Sequence, residues 1–223
     1  DVQLLGKGAV GEIAAALCGP PAAGALELRG APMDEDERDT LGDGAALALG
    51  AAIAECGDSL RELVLTQQRI APGEVAALVA SVRSLSALER LELTETTLGT
   101  DGGAALASAL ESSGGCGESL RVVLLGDTSL GVALVRVIVA LGRAEGLQEV
   151  DLSYNEMGGK ALDALCAAVK GWPSLRSLNV EGCEVEEEAA ARLRAALGSV
   201  GTQGALKALE EDFDDDDEGD GDG

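Results

Sequence analysis

The residue types best suited to chemistry are either missing from this chain or scattered along it. Its 223 residues include no histidine, so neither a histidine-based triad nor a Cys/His zinc site can be assembled. The five cysteines, Cys18, Cys56, Cys116, Cys166 and Cys183, form no C-x-x-C pair. They read as reduced thiols of a cytosolic or nuclear protein, in small core or helix-end positions rather than in a redox or metal role. Carboxylates are plentiful, 40 Asp and Glu against 16 Lys and Arg, but no spacing marks an acid/base pair. The expectation is therefore no metal, no cofactor and no intrinsic catalytic constellation.

What remains is binding chemistry, and charge restricts it. The formal net charge is −24, and ten acids are packed into Glu210 to Asp222, leaving 30 acids against 16 bases in the rest. Nucleic acid or an anionic membrane would be repelled by that field, so a basic protein surface is the expected partner. No apolar run is long enough to span a membrane. Hydrophobic residues make up 46% of the chain and aromatics 1%, so the core must be built from Leu, Val and Ala in closely similar layers.

The elements that must position any binding residue are written most clearly from Leu147 to Val185. Leu147, Val150 and Leu152 show the spacing L-x-x-L-x-L, followed by Asn155 and Met157; Leu175, Leu178, Val180, Cys183 and Val185 repeat it 28 residues on. The alternation Val150, Asp151, Leu152 is the period of a short strand. Leu162, Leu165, Cys166 and Val169 then keep helical spacing up to Gly171 and Pro173. One strand and one helix per unit is a leucine-rich repeat. The fold class expected is an α/β leucine-rich-repeat solenoid, a horseshoe with parallel strands on the concave side and helices on the convex side. One unit cannot stand alone: five to seven apolar side chains contribute roughly 1.5–3 kcal/mol each, against roughly 1–2 kcal/mol per ordered residue.

Taken in order, the chain begins with an incomplete repeat around Leu5, Val10 and Ile13 to Leu17, and Asp1 is not an initiator, so sequence upstream is expected. Leu26 and Leu28 open the second repeat, and about eight extra residues, including Asp34, Glu35, Asp36 and Glu37, follow its strand. Such insertions map to loops on one face, often a binding face, although a solvated surface loop fits equally well. Regular repeats start at Leu60, Leu88, Leu120, Leu147 and Leu175, with helices around 73–84, 103–112, 132–142, 158–170 and 186–197. The ninth position, where an Asn or Cys usually satisfies loop backbone groups, reads Ala31, Gln68, Thr96, Thr128, Asn155 and Cys183. That predicts a weak hydrogen-bond ladder, weakest at Ala31. The repeat domain is expected over 1–201 as about seven repeats, with Ala205 to Leu209 as a last helical turn inside an acidic, disordered 202–223 tail.

Repeats of 27 to 32 residues, the LSYNEMGGKAL and LNVEGCEVEEEAAARLRAAL units and the acidic tail together resemble the C-terminal part of the Ran GTPase-activating proteins. The resemblance implies binding of a Ran-like small GTPase through strand-to-helix loops and stimulation of the partner's GTP hydrolysis. It also implies a role in nucleocytoplasmic transport, a monomer, and a cytoplasmic location extending to the nuclear envelope. In that family an Asn in an early repeat helps to order the GTPase site; Ala31 stands at the aligned position here, with Arg29 nearby but not at a matching one. A divergent or fragmentary member is implied. The candidate partner-binding residues are Arg29, Asp34, Glu35, Arg61, Gln67, Arg69, Arg90, Glu92, Asp151 and Tyr154. The alternative is a non-catalytic interaction scaffold, in which Arg61, Glu62, Glu89, Arg90, Glu92, Asp151, Arg176 and Asn179 form a solvent-facing, mixed-charge concave face.

Overall fold

The computed structural model describes residues 24–29 and 44–207. Each of the five L-x-x-L-x-L segments supplies one strand, β2 (Glu62–Thr66), β3 (Arg90–Glu92), β4 (Val122–Leu124), β5 (Glu149–Asp151) and β6 (Ser177–Asn179), and β1 (Ala25–Arg29) and β7 (Leu206–Lys207) flank them. They form one parallel sheet in sequence order. The register is that of the repeat, Leu63 beside Leu91, Val123, Val150 and Leu178 in turn. Between the strands run α1 (Ala45–Cys56), α2 (Pro72–Ala80), α3 (Gly99–Leu110), α4 (Leu134–Leu141), α5 (Gly159–Ala168) and α6 (Glu187–Gly198). This is the α/β leucine-rich-repeat solenoid, strands on one side and helices on the other.

The core lies between the two layers, because the alternation of a strand sends every second side chain toward the helices. Leu60, Leu88, Leu120 and Leu147 are fully buried, and Leu65, Leu93, Leu125 and Leu152 close to it. Trp172, the one tryptophan, is also fully buried, and its Nε1 donates to Leu141 O at 2.9 Å. Helix-to-helix spacing depends on small residues. A Cβ on Gly103 of α3 would lie 2.8 Å from the Ala133 Cβ, so only glycine lets these repeats stack as closely as they do.

Chain reversal out of β2 to β6 uses a left-handed residue at the eighth repeat position: Gln67 (φ 57°), Glu95 (57°), Asp127 (51°), Tyr154 (52°) and Gly182 (63°). A non-glycine residue there costs roughly 1 kcal/mol. The conformation turns each amide toward the next repeat, where Gln67 donates to Thr94 O, Glu95 to Gly126 O, Asp127 to Ser153 O and Tyr154 to Glu181 O, at 2.8 to 3.0 Å. These bonds extend the parallel ladder past the strand ends and offset the strain.

Two expectations change. The ninth-position ladder is well formed, because threonine hydroxyls do the work of asparagine. Thr96 Oγ1 donates to Leu65 O at 2.8 Å and accepts from the Gln68 amide, and the Thr128 hydroxyl lies 2.8 Å from Leu125 O. Asn155 Nδ2 reaches Leu125 O, Leu152 O and Ser153 O, and Cys183 Sγ reaches Leu152 O. Ala31 lies outside the described residues. At the other end, the sheet passes residue 201: Gln203–Ala205 is a single 3-10 turn, and Leu206 then pairs with Leu178. The expected helical turn is replaced because Leu206 falls in register with the preceding repeats and Ala205 is buried.

Candidate functional site

A leucine-rich-repeat sheet buries positions 4 and 6 of each repeat and leaves positions 3, 5, 7 and 8 on its concave face and on the turn that follows. The structure places Arg29, Gln67, Arg90, Glu92, Asp151 and Tyr154 there, while Arg61 precedes β2 and Arg69 follows its turn, and most of these residues are engaged with neighbouring side chains. Arg29, at the end of β1, pairs with Glu27 two residues back, and both are exposed. Arg61 pairs with Glu89 across adjacent repeats. Gln67 Nε2 donates to Glu95 Oε2 at 3.0 Å. Arg69 is exposed and makes no ion pair among the described residues. Asp34 and Glu35 lie outside the described residues.

In the middle of the face the arrangement is more constrained. Glu92 of β3, expected in solvent, is buried, only 8% exposed. Its register neighbours are Val64 and Leu124, which strip water from it, and the Arg90 guanidinium on the same strand supplies its charge partner. Asp151 of β5 is half-buried. Its Oδ1 accepts from the Ser153 amide at 2.9 Å and the Ser153 hydroxyl at 2.6 Å, and its Oδ2 accepts from Asn179 Nδ2 at 3.2 Å. Held by three neutral donors, this carboxylate is a fixed, pre-oriented group that keeps its charge and an acceptor site.

Tyr154 stands at the rim, 57% exposed. Its hydroxyl donates to Glu181 Oε1 at 2.9 Å. The ring covers Gly182, where an added Cβ would fall 2.4 Å from Tyr154 Cδ1, so the missing side chain of Gly182 is what lets the ring lie flat.

The residues missed by reading charge alone are Val122 and Leu124 of β4. Both are half-buried at concave positions, side by side with the polar residues of β3 and β5, while Val123 between them is fully buried in the core. The signal was present in the unbroken apolar run Val122-Val123-Leu124-Leu125, which makes both concave positions of the strand apolar, where β2 has one, Val64, and the other regular strands have none.

Among the described residues, no group of three or more His, Cys, Asp or Glu could hold a metal ion, and no helix is long and apolar enough to cross a membrane. Burial pushes the Cys116 thiol up to about 12 and raises Cys166 and Cys183 as well. Burial thus disfavours the nucleophilic thiolate at each of these sulfurs. Cys18 lies outside the described residues.

Fold and face together define a leucine-rich-repeat fold with a strand surface opposite its helices. Residues 147–166 match the family described as Leucine Rich repeat, the same repeat that is best written in the sequence. The chain is similar to a Tonsoku-like protein of Bos taurus, 29% identical over 142 residues, which is 64% of this chain but only 8% of that protein's length. Among solved structures it is similar to an internalin (inlF) of Listeria monocytogenes, with 13% identity, 85% of this chain and 61% of that one covered, and a TM-score of 0.32. An overlap that low carries no argument about this chain.

Proposed function

We propose that this chain is a non-catalytic leucine-rich-repeat scaffold that holds a protein partner on its concave strand face. The observation that carries the reading is the continuous face itself. From β2 to β6 the positions that point away from the helices form one surface of exposed, half-buried and, as at Glu92, buried side chains, with its carboxylates held in place by neighbouring Arg, Ser and Asn groups. A pre-oriented polar surface of this kind supports recognition without a large ordering cost. The acidic balance of the chain, −24 overall, favours a basic partner surface.

The finer reading, a Ran-type GTPase activator, is supported by the sequence resemblance alone. Its decisive position, Ala31, and the insertion carrying Asp34 and Glu35 fall outside the described residues. Single-turnover GTP hydrolysis by Ran, measured with and without this chain alongside direct binding, separates the two. The scaffold reading expects an unchanged hydrolysis rate. An acceleration of tenfold or more overturns it in favour of the activator.

A further inference from the structure

The concave face has an apolar centre that its charged residues do not explain. Val122 and Leu124 occupy the middle strand, both half-buried on the side of the sheet away from the core residue Val123. A strand position that faces solvent gains nothing from two adjacent branched apolar side chains; one that faces a partner does, since the centre of an interface is apolar and its rim polar.

The rim is uneven in charge, and this selects the partner. On the β3 side, Arg90 and Glu92 neutralise each other. On the β5 side stand Glu149 and Asp151, register partners of Val122 and Leu124. The turn beyond β4 adds exposed Asp127, and the turn beyond β3 adds Glu95. Glu149 and Asp127 make no ion pair among the described residues. Arg121, which could balance them, is drawn aside: a Cβ on Gly146 would meet its Nη1 at 1.7 Å, so the guanidinium lies against that loop. The apolar centre is therefore edged by carboxylates that keep free charge.

We propose that Val122 and Leu124 seat an apolar side chain carried on a basic segment of a partner protein, with Glu149, Asp151 and Asp127 receiving the flanking cations. The proposal rests on the scaffold reading above and names the chemistry that the face selects. A carboxylate rim alone would attract any cation at long range; the apolar centre adds a short-range requirement that charge does not satisfy.

The test uses the full chain and three labelled twelve-residue peptides, followed by fluorescence anisotropy. One alternates lysine and leucine, one replaces every leucine with serine, and one replaces every lysine with glutamate. The lysine–leucine peptide is expected to bind at least tenfold more tightly than either other. The double variant Val122→Ser, Leu124→Ser should remove that advantage while leaving the lysine–serine peptide unchanged. Val139→Ser, on the exposed side of α4, should change neither. Glu149→Gln with Asp127→Asn should weaken both lysine peptides and flatten their salt dependence, an independent reading should the apolar double variant fold poorly. Equal affinity for the two lysine peptides, insensitivity to the double variant, or no binding overturns the proposal. A partner cross-linked at the strand face despite any of these results would leave the scaffold reading standing, so the two failures are distinguishable.

Discussion

Asn155 concentrates more of the stability argument than any other polar side chain. Its amide nitrogen donates to three carbonyls, and its Oδ1 accepts from the Leu130 amide. Asn155→Ala leaves those buried groups unsatisfied and should cost about 2–4 kcal/mol in urea unfolding; a loss under about 0.5 kcal/mol would mean that the loops repair themselves. Cys116 makes a second prediction. Its folded pKa, about 12, lies above its ordinary value of 9.0 because burial penalises the thiolate. The native state therefore keeps a proton that the unfolded chain releases, so this group's contribution is intact below about pH 9 and declines as pH rises toward about 12. Folded protein at pH 8 should leave Cys116 unalkylated by iodoacetamide, and urea should expose it. The sequence identified Asn155 as a turn residue and read the cysteines as small core or helix-end residues, and Cys56, Cys116 and Cys183 are buried. It undervalued Thr96 and Thr128, because a hydroxyl replaces an amide there only when the neighbouring strand's carbonyl lies within reach, and that distance belongs to the stacked repeat.

At the scale of elements, repeat period and register were legible and boundaries less so. The L-x-x-L-x-L spacing fixed all five regular strands, since positions 4 and 6 can face only the helices. The C-terminal end was misread because EEDFDDDDEGDGDG dominates the composition there, while Ala205 and Leu206 are only two apolar residues. Their value comes from lying in register with β6. Truncation after residue 201 should thus lower the melting temperature by several degrees relative to truncation after residue 207, since it removes β7 and the buried Thr202 and Ala205 from the end of the stack. Equal melting temperatures would show that β7 contributes nothing. The concave face was half legible. Its charges could be picked out one by one, but their mutual pairing, the burial of Glu92 and the apolar pair on β4 depend on which strand lies beside which.

For the whole molecule, a solenoid of near-identical layers carries little chemistry inside and presents it on one surface. The Leu, Val and Ala interior stacks the repeats, while on the strand face side chains change character from layer to layer. Function is therefore expected to follow the face rather than any single repeat, including the well-written one at 147–166. The direct measurement places a photo-cross-linking amino acid at Leu124 on the strand face or at Val139 on the helix side, irradiates cells producing each full-length variant, and compares the covalent adducts. A concave-face scaffold predicts discrete partner adducts from position 124 and none of matching size from position 139. Adducts from position 139 alone, or identical adducts from both, would contradict it.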